Sequence, residues 1–153
     1  MTHVRTQIRQ AIVTTLTGLT TTEDRVFDTQ VYPLERAQLP ALTVTIEKDN
    51  ALTDWSTMLE SGVLVQTYEL PVMVRGYAKA TETVQDVLDA IALEVTEALK
   101  ADRTLGGLSK DIRIDDVPEI TVSGTGEQPI GMIHLSCMVL YRIADNAPDV
   151  PLL

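Results

Sequence analysis

The sequence predicts an α+β fold in which a single, mostly antiparallel β-sheet carries two helices packed on one face. Two segments, one near the start and one after residue 83, show apolar residues at helical spacing. Several other segments alternate apolar and polar residues, as half-buried strands do. Two helices and about six strands then give one sheet and one helical layer.

The first predicted helix runs from Thr2 to about Leu19. Its apolar residues recur at spacings of three and four, as on the buried face of an amphipathic helix. They are Val4, Ile8, Ala11, Ile12, Leu16 and Leu19. Thr2 is expected to cap the start of this helix, and Gly18 is expected to end it.

The second predicted helix, Thr83 to about Ala101, has the clearest pattern in the chain. Its apolar residues form one continuous stripe, and Thr83 stands at the expected N-cap. The stripe is Val84, Val87, Leu88, Ile91, Ala92, Val95, Ala98 and Leu99. We expect this stripe to be buried against the sheet.

Strands are predicted wherever apolar and polar residues alternate. The predicted strands are Arg25–Tyr32, the segment from Pro40 to Glu47, Val63–Ala78, Ile112–Ile114, Glu119–Val122 and Met132–Ile143. Pro71 is expected to make part of its strand an edge or a bulge. The polar segment Lys48–Gly62 has no sustained period and is predicted to be a loop. Residues 1–143 are therefore predicted to form one α+β domain, and residues 144–153 an extended C-terminal tail.

The composition favours a protein that does not grip nucleic acid. The 153 residues include 44% apolar residues, and 22 acidic residues against 12 basic ones give a net charge of −10. Affinity for nucleic acid comes largely from Lys and Arg, so this balance opposes it. No apolar run is long enough to span a membrane, and Cys137 is the only cysteine. We expect a soluble protein made in a cytoplasm.

The residues that could perform chemistry form no convincing site. His3 and His134 are far apart and have no metal-ligand spacing, and Cys137 falls on the apolar face of a strand. The acidic residues near the predicted hairpin do not match a calcium loop, so a solvated hairpin is the better interpretation. They are Asp111, Asp115, Asp116 and Glu119. The sequence predicts no catalytic residue, cofactor or metal.

Two apolar groups in polar surroundings are candidate protein contacts. The first is Trp55 with Met58 and Leu59, because large aromatic residues are favoured as interface anchors. An alternative for Trp55 is burial in its own domain. The second group is the C-terminal pair Leu152 and Leu153, which we expect to meet some partner.

Three segments in order along the chain resemble the tail terminator, or tail completion, proteins of tailed bacteriophages, also called minor tail proteins of the lambda type. They are VYPLERAQLPALTV at 31–44, DRTLGGLSKD at 102–111 and MIHLSCMVLYR at 132–142. Together with the order of elements, the resemblance covers nearly the whole chain.

The resemblance implies a non-enzymatic subunit that assembles into a ring, with six copies expected. Such a ring caps the tail tube, ends tube polymerisation and presents a surface to the head–neck connector. DNA would pass through it without specific binding, which suits an acidic wall. The loop from Pro33 to Pro40, with Glu35 and Arg36, would be a rigid contact element. The alternatives are a neck or head-completion ring of the same virion, or a small acidic ligand- or metal-binding domain.

Overall fold

The computed structural model describes residues 2–28, 39–79, 83–114, 119–123 and 130–152, with only the backbone of 53–55, 119, 122 and 123. The described elements in chain order are α1 Val4–Leu16, β1 Val26–Phe27, β2 Ala41–Ile46, β3 Asn50–Met58, β4 Leu64–Lys79, α2 Val84–Ala101, β5 Asp111–Ile114, β6 Glu119–Ser123, β7 Ile130–Ala144 and β8 Ala147–Leu152. The predicted α+β fold is confirmed.

A long antiparallel pair, β4 with β7, forms the middle of the sheet. On the outer side of β4, β3 pairs with its first half and β2 with its second half. On the outer side of β7, β6, β5 and β8 pair in succession. Among the described pairs, only β1 with β2 is parallel. The central pair therefore carries most of the sheet, and short strands line its two sides.

Both described helices pack on the same face, which we call the helix face. Their buried side chains repeat every three or four residues: Val4, Ile8, Ile12 and Leu16 on α1, and Leu88, Ile91, Val95 and Leu99 on α2. They form one core with alternate residues of the strands, among them Val44, Val74 and Leu135. The predicted burial of the α2 stripe is confirmed at Leu88, Ile91, Val95 and Leu99, whereas Val87 is only half-buried.

Close approach of α2 to the sheet explains a glycine in the middle of β4. A methyl group at Gly76 would lie 2.7 Å from Ile91 Cγ2 and 3.0 Å from Ile133 Cγ2. Both neighbours are β-branched and have little freedom to move aside. The helix therefore sits against bare backbone at this point.

Pro71 pairs with Met138 of β7 on one side, whereas neither β2 nor β3 pairs with it on the other, which agrees with the predicted local edge. It falls where β2 ends and β3 has not yet begun on that side of β4. The Glu47 amide donates to the Pro71 carbonyl over 3.0 Å, but proline has no N–H to return the bond. Instead, Arg5 Nη2 donates to the Glu47 carbonyl over 2.9 Å. A side chain of α1 thus replaces the missing backbone donor.

Two segments predicted without strands belong to the sheet. Asn50–Met58, expected within a loop, is β3, and its register shifts between Leu52 and Thr57. Such an irregularity breaks the period-two pattern from which strands are predicted. The C-terminal segment predicted as an extended tail is extended, and residues 147–152 pair with β7 as β8. Its prolines are tolerated because it is a short outer strand.

The start of α1 also differs from the prediction. The helix begins at Val4 and ends at Leu16, and its N-cap is His3 rather than Thr2. The Arg5 amide donates to His3 Nδ1 over 3.1 Å, so the imidazole does what a hydroxyl was expected to do. At the other end, Gly18 follows the C-cap Thr17 with φ of +92° and ends the helix as predicted.

Candidate protein-contact surface

The face of the sheet opposite the helices, which we call the far face, carries side chains that do not belong to the core under the helices. It is defined by four rows of residues that lie opposite one another across neighbouring strands. The rows are Thr43–Arg75–His134, Thr45–Met73–Ser136, Pro71–Met138–Arg113 and Glu69–Leu140–Asp111. Each row points away from α1 and α2 because its neighbours in sequence, such as Val74 and Val139, belong to the helix-face core.

At one end of the far face, the side chains form a small second core. Leu39, Ala41 and Tyr77 are buried there, with Phe27, Ile130 and Met132 packed against them. The other end is open, since Met73, Met138 and Leu140 are only half-buried and Ser136 is exposed. The face therefore changes from core to surface along the length of β4 and β7.

The open end of the far face is concave. A cleft of about 420 Å³ is lined on the far face by Glu47, Pro71, Met73, Arg113, Ser136 and Met138. A second cleft of about 310 Å³ continues it toward Glu69, Asp111 and Leu140. The lining combines apolar residues, namely Pro71, Met73, Met138 and Leu140, with an equal number of charged ones. Flexible methionine side chains suit a surface that adapts to a protein partner.

The far face carries charged groups of both signs, with Arg75 and Arg113 near Glu47, Glu69 and Asp111. Arg113 Nη2 donates to Glu69 Oε1 over 3.0 Å, and the Arg113 side chain remains well exposed. Arg75 Nε lies 3.3 Å from His134 Nδ1, and its Nη1 lies 3.5 Å from the hydroxyl of Thr45. The described hydrogen bonds of Arg75 are thus to an imidazole and a hydroxyl. Arg113 lines both clefts, together with Glu47 in the larger one and with Glu69 and Asp111 in the smaller one.

A polar cluster on the helix face ties α1 to the sheet. Asp49 Oδ2 accepts a hydrogen bond from the Tyr141 hydroxyl over 2.5 Å and lies 3.6 Å from Arg5 Nε. The Tyr141 ring stacks on Tyr68, with centroids 5.4 Å apart. Burial, and then Asp49, raise the pKa of Tyr141, and burial followed by Asp49 and Asp145 raises the pKa of Tyr68. This cluster therefore links α1 to the sheet on the helix face, and the candidate contact surface is the opposite face.

Of the residues predicted as protein contacts, the three whose side chains the structure describes, Met58, Leu59 and Leu152, do not form one surface. Met58 ends β3 and Leu59 follows it at the tip of the β3–β4 hairpin, with exposed fractions of 63% and 48%. Leu152 is half-buried on β8 opposite Arg142. The strands β4 and β7 lie between these two groups. Trp55 lies in β3, but its side chain is outside the described part, as are Glu35, Arg36 and Leu153.

The candidate chemical residues occupy ordinary structural positions. His3 caps α1, and His134 lies on the far face beside Arg75. Cys137 is buried, and burial raises the pKa of its thiol to about 12, so it is almost entirely protonated at neutral pH. Within the described ranges, no group of three or more His, Cys, Asp and Glu residues could hold a metal ion. Asp115 and Asp116 lie outside those ranges.

The far face was missed because a sequence pattern does not tell which strands are neighbours. Alternation does place Arg75 and Glu69 on one side of β4, and His134, Ser136 and Met138 on one side of β7. Only the register of β4 with β7 turns these two sets into one surface. The signal that the sequence offered was a methionine on the polar side of each strand.

No protein-family model and no curated protein matches this chain. Among the described helices, none is long and apolar enough to cross a membrane.

Proposed function

We propose that this chain is a structural subunit of a phage tail, a terminator that assembles into a ring of six copies and caps the tail tube. The observation that carries the proposal is the far face, where Met73 and Met138 line a cleft and remain only half-buried in the single chain. A partly apolar sheet face of this kind needs another protein to cover it. Ring assembly supplies such a partner in every copy.

Three further features support the proposal. The α+β subunit with both described helices on one face is the architecture that the resemblance at 31–44, 102–111 and 132–142 implies. The net charge of −10 suits a ring through which DNA passes without being held. The exposed residues Met58 and Leu59 at the hairpin tip offer a second, separate contact with the tube or the connector.

The test is an assembly experiment with the tail-tube protein of the same phage, identified from the gene order around this reading frame. Addition of the purified chain is expected to shorten polymerising tubes and to leave a ring at one end in electron micrographs. If the ring binds the connector but leaves tube length unchanged, the chain would instead be assigned to the neck of the virion. A chain that forms no ring and does not alter tube growth would overturn the proposal.

A further inference from the structure

The C-terminal strand β8 is held to the sheet by few contacts. None of its six side chains is buried, whereas the short strand β5 on the same side of β7 buries Ile112. Val150 is apolar and yet has an exposed fraction of 48%. Pro148 and Pro151 have no N–H to donate to a neighbouring strand. Release of β8 would therefore uncover little of the core.

The pairing of β8 with β7 is also irregular. Two register pairs join the strands, Ala144 with Ala147 and Arg142 with Leu152. Between these pairs, residues 148–151 of β8 stand opposite the single residue Ile143 of β7. In a regular antiparallel pair, one residue stands opposite one. The two ends of β8 thus follow different registers.

The turn that connects the two strands explains this irregularity. Asp145 and Asn146 form a two-residue turn between β7 and β8. The two-residue turns that match the twist of a hairpin have positive φ at one or both positions, and other turns splay the strands. Neither Asp145 nor Asn146 has a positive φ. The register next to the turn therefore does not continue along β8.

The surface that receives β8 consists of the outer side of β7 and one side chain of α1. Arg142 and Ala144 provide the strand pairs, and Gln7 Nε2 donates to the Asp149 carbonyl over 2.8 Å. Every copy carries this surface, and the structure shows that it accepts this strand. The β8 strand of a second copy can make the same contacts, and it reaches them without the two-residue turn.

We infer that β8 is an exchanged arm, which in the assembled protein leaves its own β7 and lies on β7 and α1 of a neighbouring copy. Exchange of an element between identical copies keeps its contacts and is a low-cost route to assembly. Once the turn has opened, the register set by Arg142 and Leu152 continues and places Val150 opposite Ala144. In the single chain, Ala147 occupies that position. The inference rests on the self-assembly in the proposed function and names a segment that links the copies.

The exchange is a head-to-tail contact. Each copy gives β8 to one neighbour and receives β8 from another, and such contacts close into a ring when the rotation per copy permits. The Asp145 amide donates to the Leu64 carbonyl over 2.9 Å, so β7 stays in the sheet up to the hinge. Residues 147–152 span about 20 Å when extended, so the arm reaches only an adjacent copy.

Disulfide trapping tests the exchange directly. Arg142→Cys with Leu152→Cys places two thiols at a register pair, where a Cα separation of about 5 Å suits a disulfide. After oxidation at a concentration at which the wild-type chain assembles, we expect a ladder of disulfide-linked oligomers on a denaturing gel. Oxidation of dilute single chains should give an internal disulfide and no ladder. Cys137 gives little background because its thiol is buried.

Two matched pairs of cysteines report on the register. Ala144→Cys with Val150→Cys should form disulfides between copies of the assembly. Ala144→Cys with Ala147→Cys should form disulfides only within dilute single chains, because this pair depends on the closed turn.

Rings in which the Arg142–Leu152 pair forms only internal disulfides would overturn the inference and leave the proposed function standing. Failure of that pair to form any disulfide would also overturn the inference. A wild-type chain that does not assemble, with only internal disulfides in the variants, would overturn both.

A change in the turn gives an independent test. Asp145→Asn with Asn146→Gly introduces the dipeptide that most favours a two-residue hairpin turn, so the closed form should gain over the exchanged form. Assembly followed by sedimentation velocity should then need about tenfold more protein, without a lower melting temperature of the dilute chain. Unchanged assembly in a variant that melts normally would contradict the exchange.

Discussion

The two faces of the same sheet differ in what covers them. On the helix face, alternate residues of β4 and β7 such as Val74 and Leu135 are almost completely buried under α1 and α2. On the far face, their immediate neighbours Met73 and Ser136 are half-buried and exposed. Adjacent residues of one strand therefore belong to different environments, a core within the chain and a surface open to a partner.

This difference separates residues that affect the stability of the single chain from residues that could affect its assembly. Residues on the helix face contribute to folding because their burial removes apolar surface from water within one chain. The open end of the far face contributes little to folding of the single chain, so its apolar residues have room for another role. Substitutions on the two faces should then affect different measurements, and the predictions below are ordered by the size of the expected effect.

The largest effects are expected under α2. Leu88→Ala or Ile91→Ala should lower the free energy of unfolding by about 2–5 kcal/mol, because each creates a cavity in a core that cannot close around it. The measurement is urea unfolding followed by circular dichroism. Met73→Ala on the far face is the control and should cost less than about 1 kcal/mol. Equal losses on the two faces would contradict the comparison.

The next effect concerns the close approach of α2 to β4. Gly76→Ala should destabilise the protein by about 1–3 kcal/mol, because the added methyl group overlaps Ile91 and Ile133. Ser136→Ala, an equally small side chain on the far face, should change stability by less than about 0.5 kcal/mol. Thermal melts of the two variants at matched concentration measure the difference. A harmless Gly76→Ala would mean that the helix is not seated as described.

A moderate, pH-dependent effect is expected at Tyr141. Folding raises the pKa of Tyr141 and of Tyr68, so the folded chain holds their protons at a pH where the unfolded chain has begun to lose them. Their contribution to stability is therefore complete below pH 10 and declines as pH rises above it. Tyr141→Phe should make this alkaline decline shallower, at the cost of about 1 kcal/mol at pH 7 for the lost bond to Asp49.

Urea unfolding at pH 8 and at several values above pH 10 measures the slope with which the free energy of unfolding falls as pH rises. An identical slope in wild type and Tyr141→Phe would show that this phenol does not carry the alkaline loss.

The smallest effect on stability is expected at Trp55, if its side chain is a contact rather than core. Trp55→Ala should then change the free energy of unfolding by less than about 0.5 kcal/mol. Since Trp55 is the only tryptophan, its fluorescence should shift to the blue when subunits assemble. A blue spectrum in the dilute single chain, with strong destabilisation by the alanine change, would assign Trp55 to the core.

Much of the helix face could be predicted from the sequence. The alternation of β7 identified its buried side, from Ile133 to Ile143, and the stripe of α2 identified Leu88, Ile91 and Val95. Both are regular elements in which one period persists for many residues. Local pattern and tertiary burial therefore agree there.

The remainder depends on contacts distant in sequence. β3 is interrupted by a register shift, and β8 contains two prolines, so neither shows the usual strand pattern. Pro71 is accommodated in a central strand because Arg5 of α1 supplies a donor to Glu47. The far face exists only once β4 and β7 are placed in register.

The most direct measurement of the central claim is sedimentation velocity on Met73→Lys, with thermal melting of the same sample. Met73 lies at the centre of the far-face cleft, and a lysine there would keep its charged end in water in the single chain. The account predicts a melting temperature within about two degrees of wild type and loss of the assembled species. A variant that assembles normally, or that is strongly destabilised as a single chain, would contradict it.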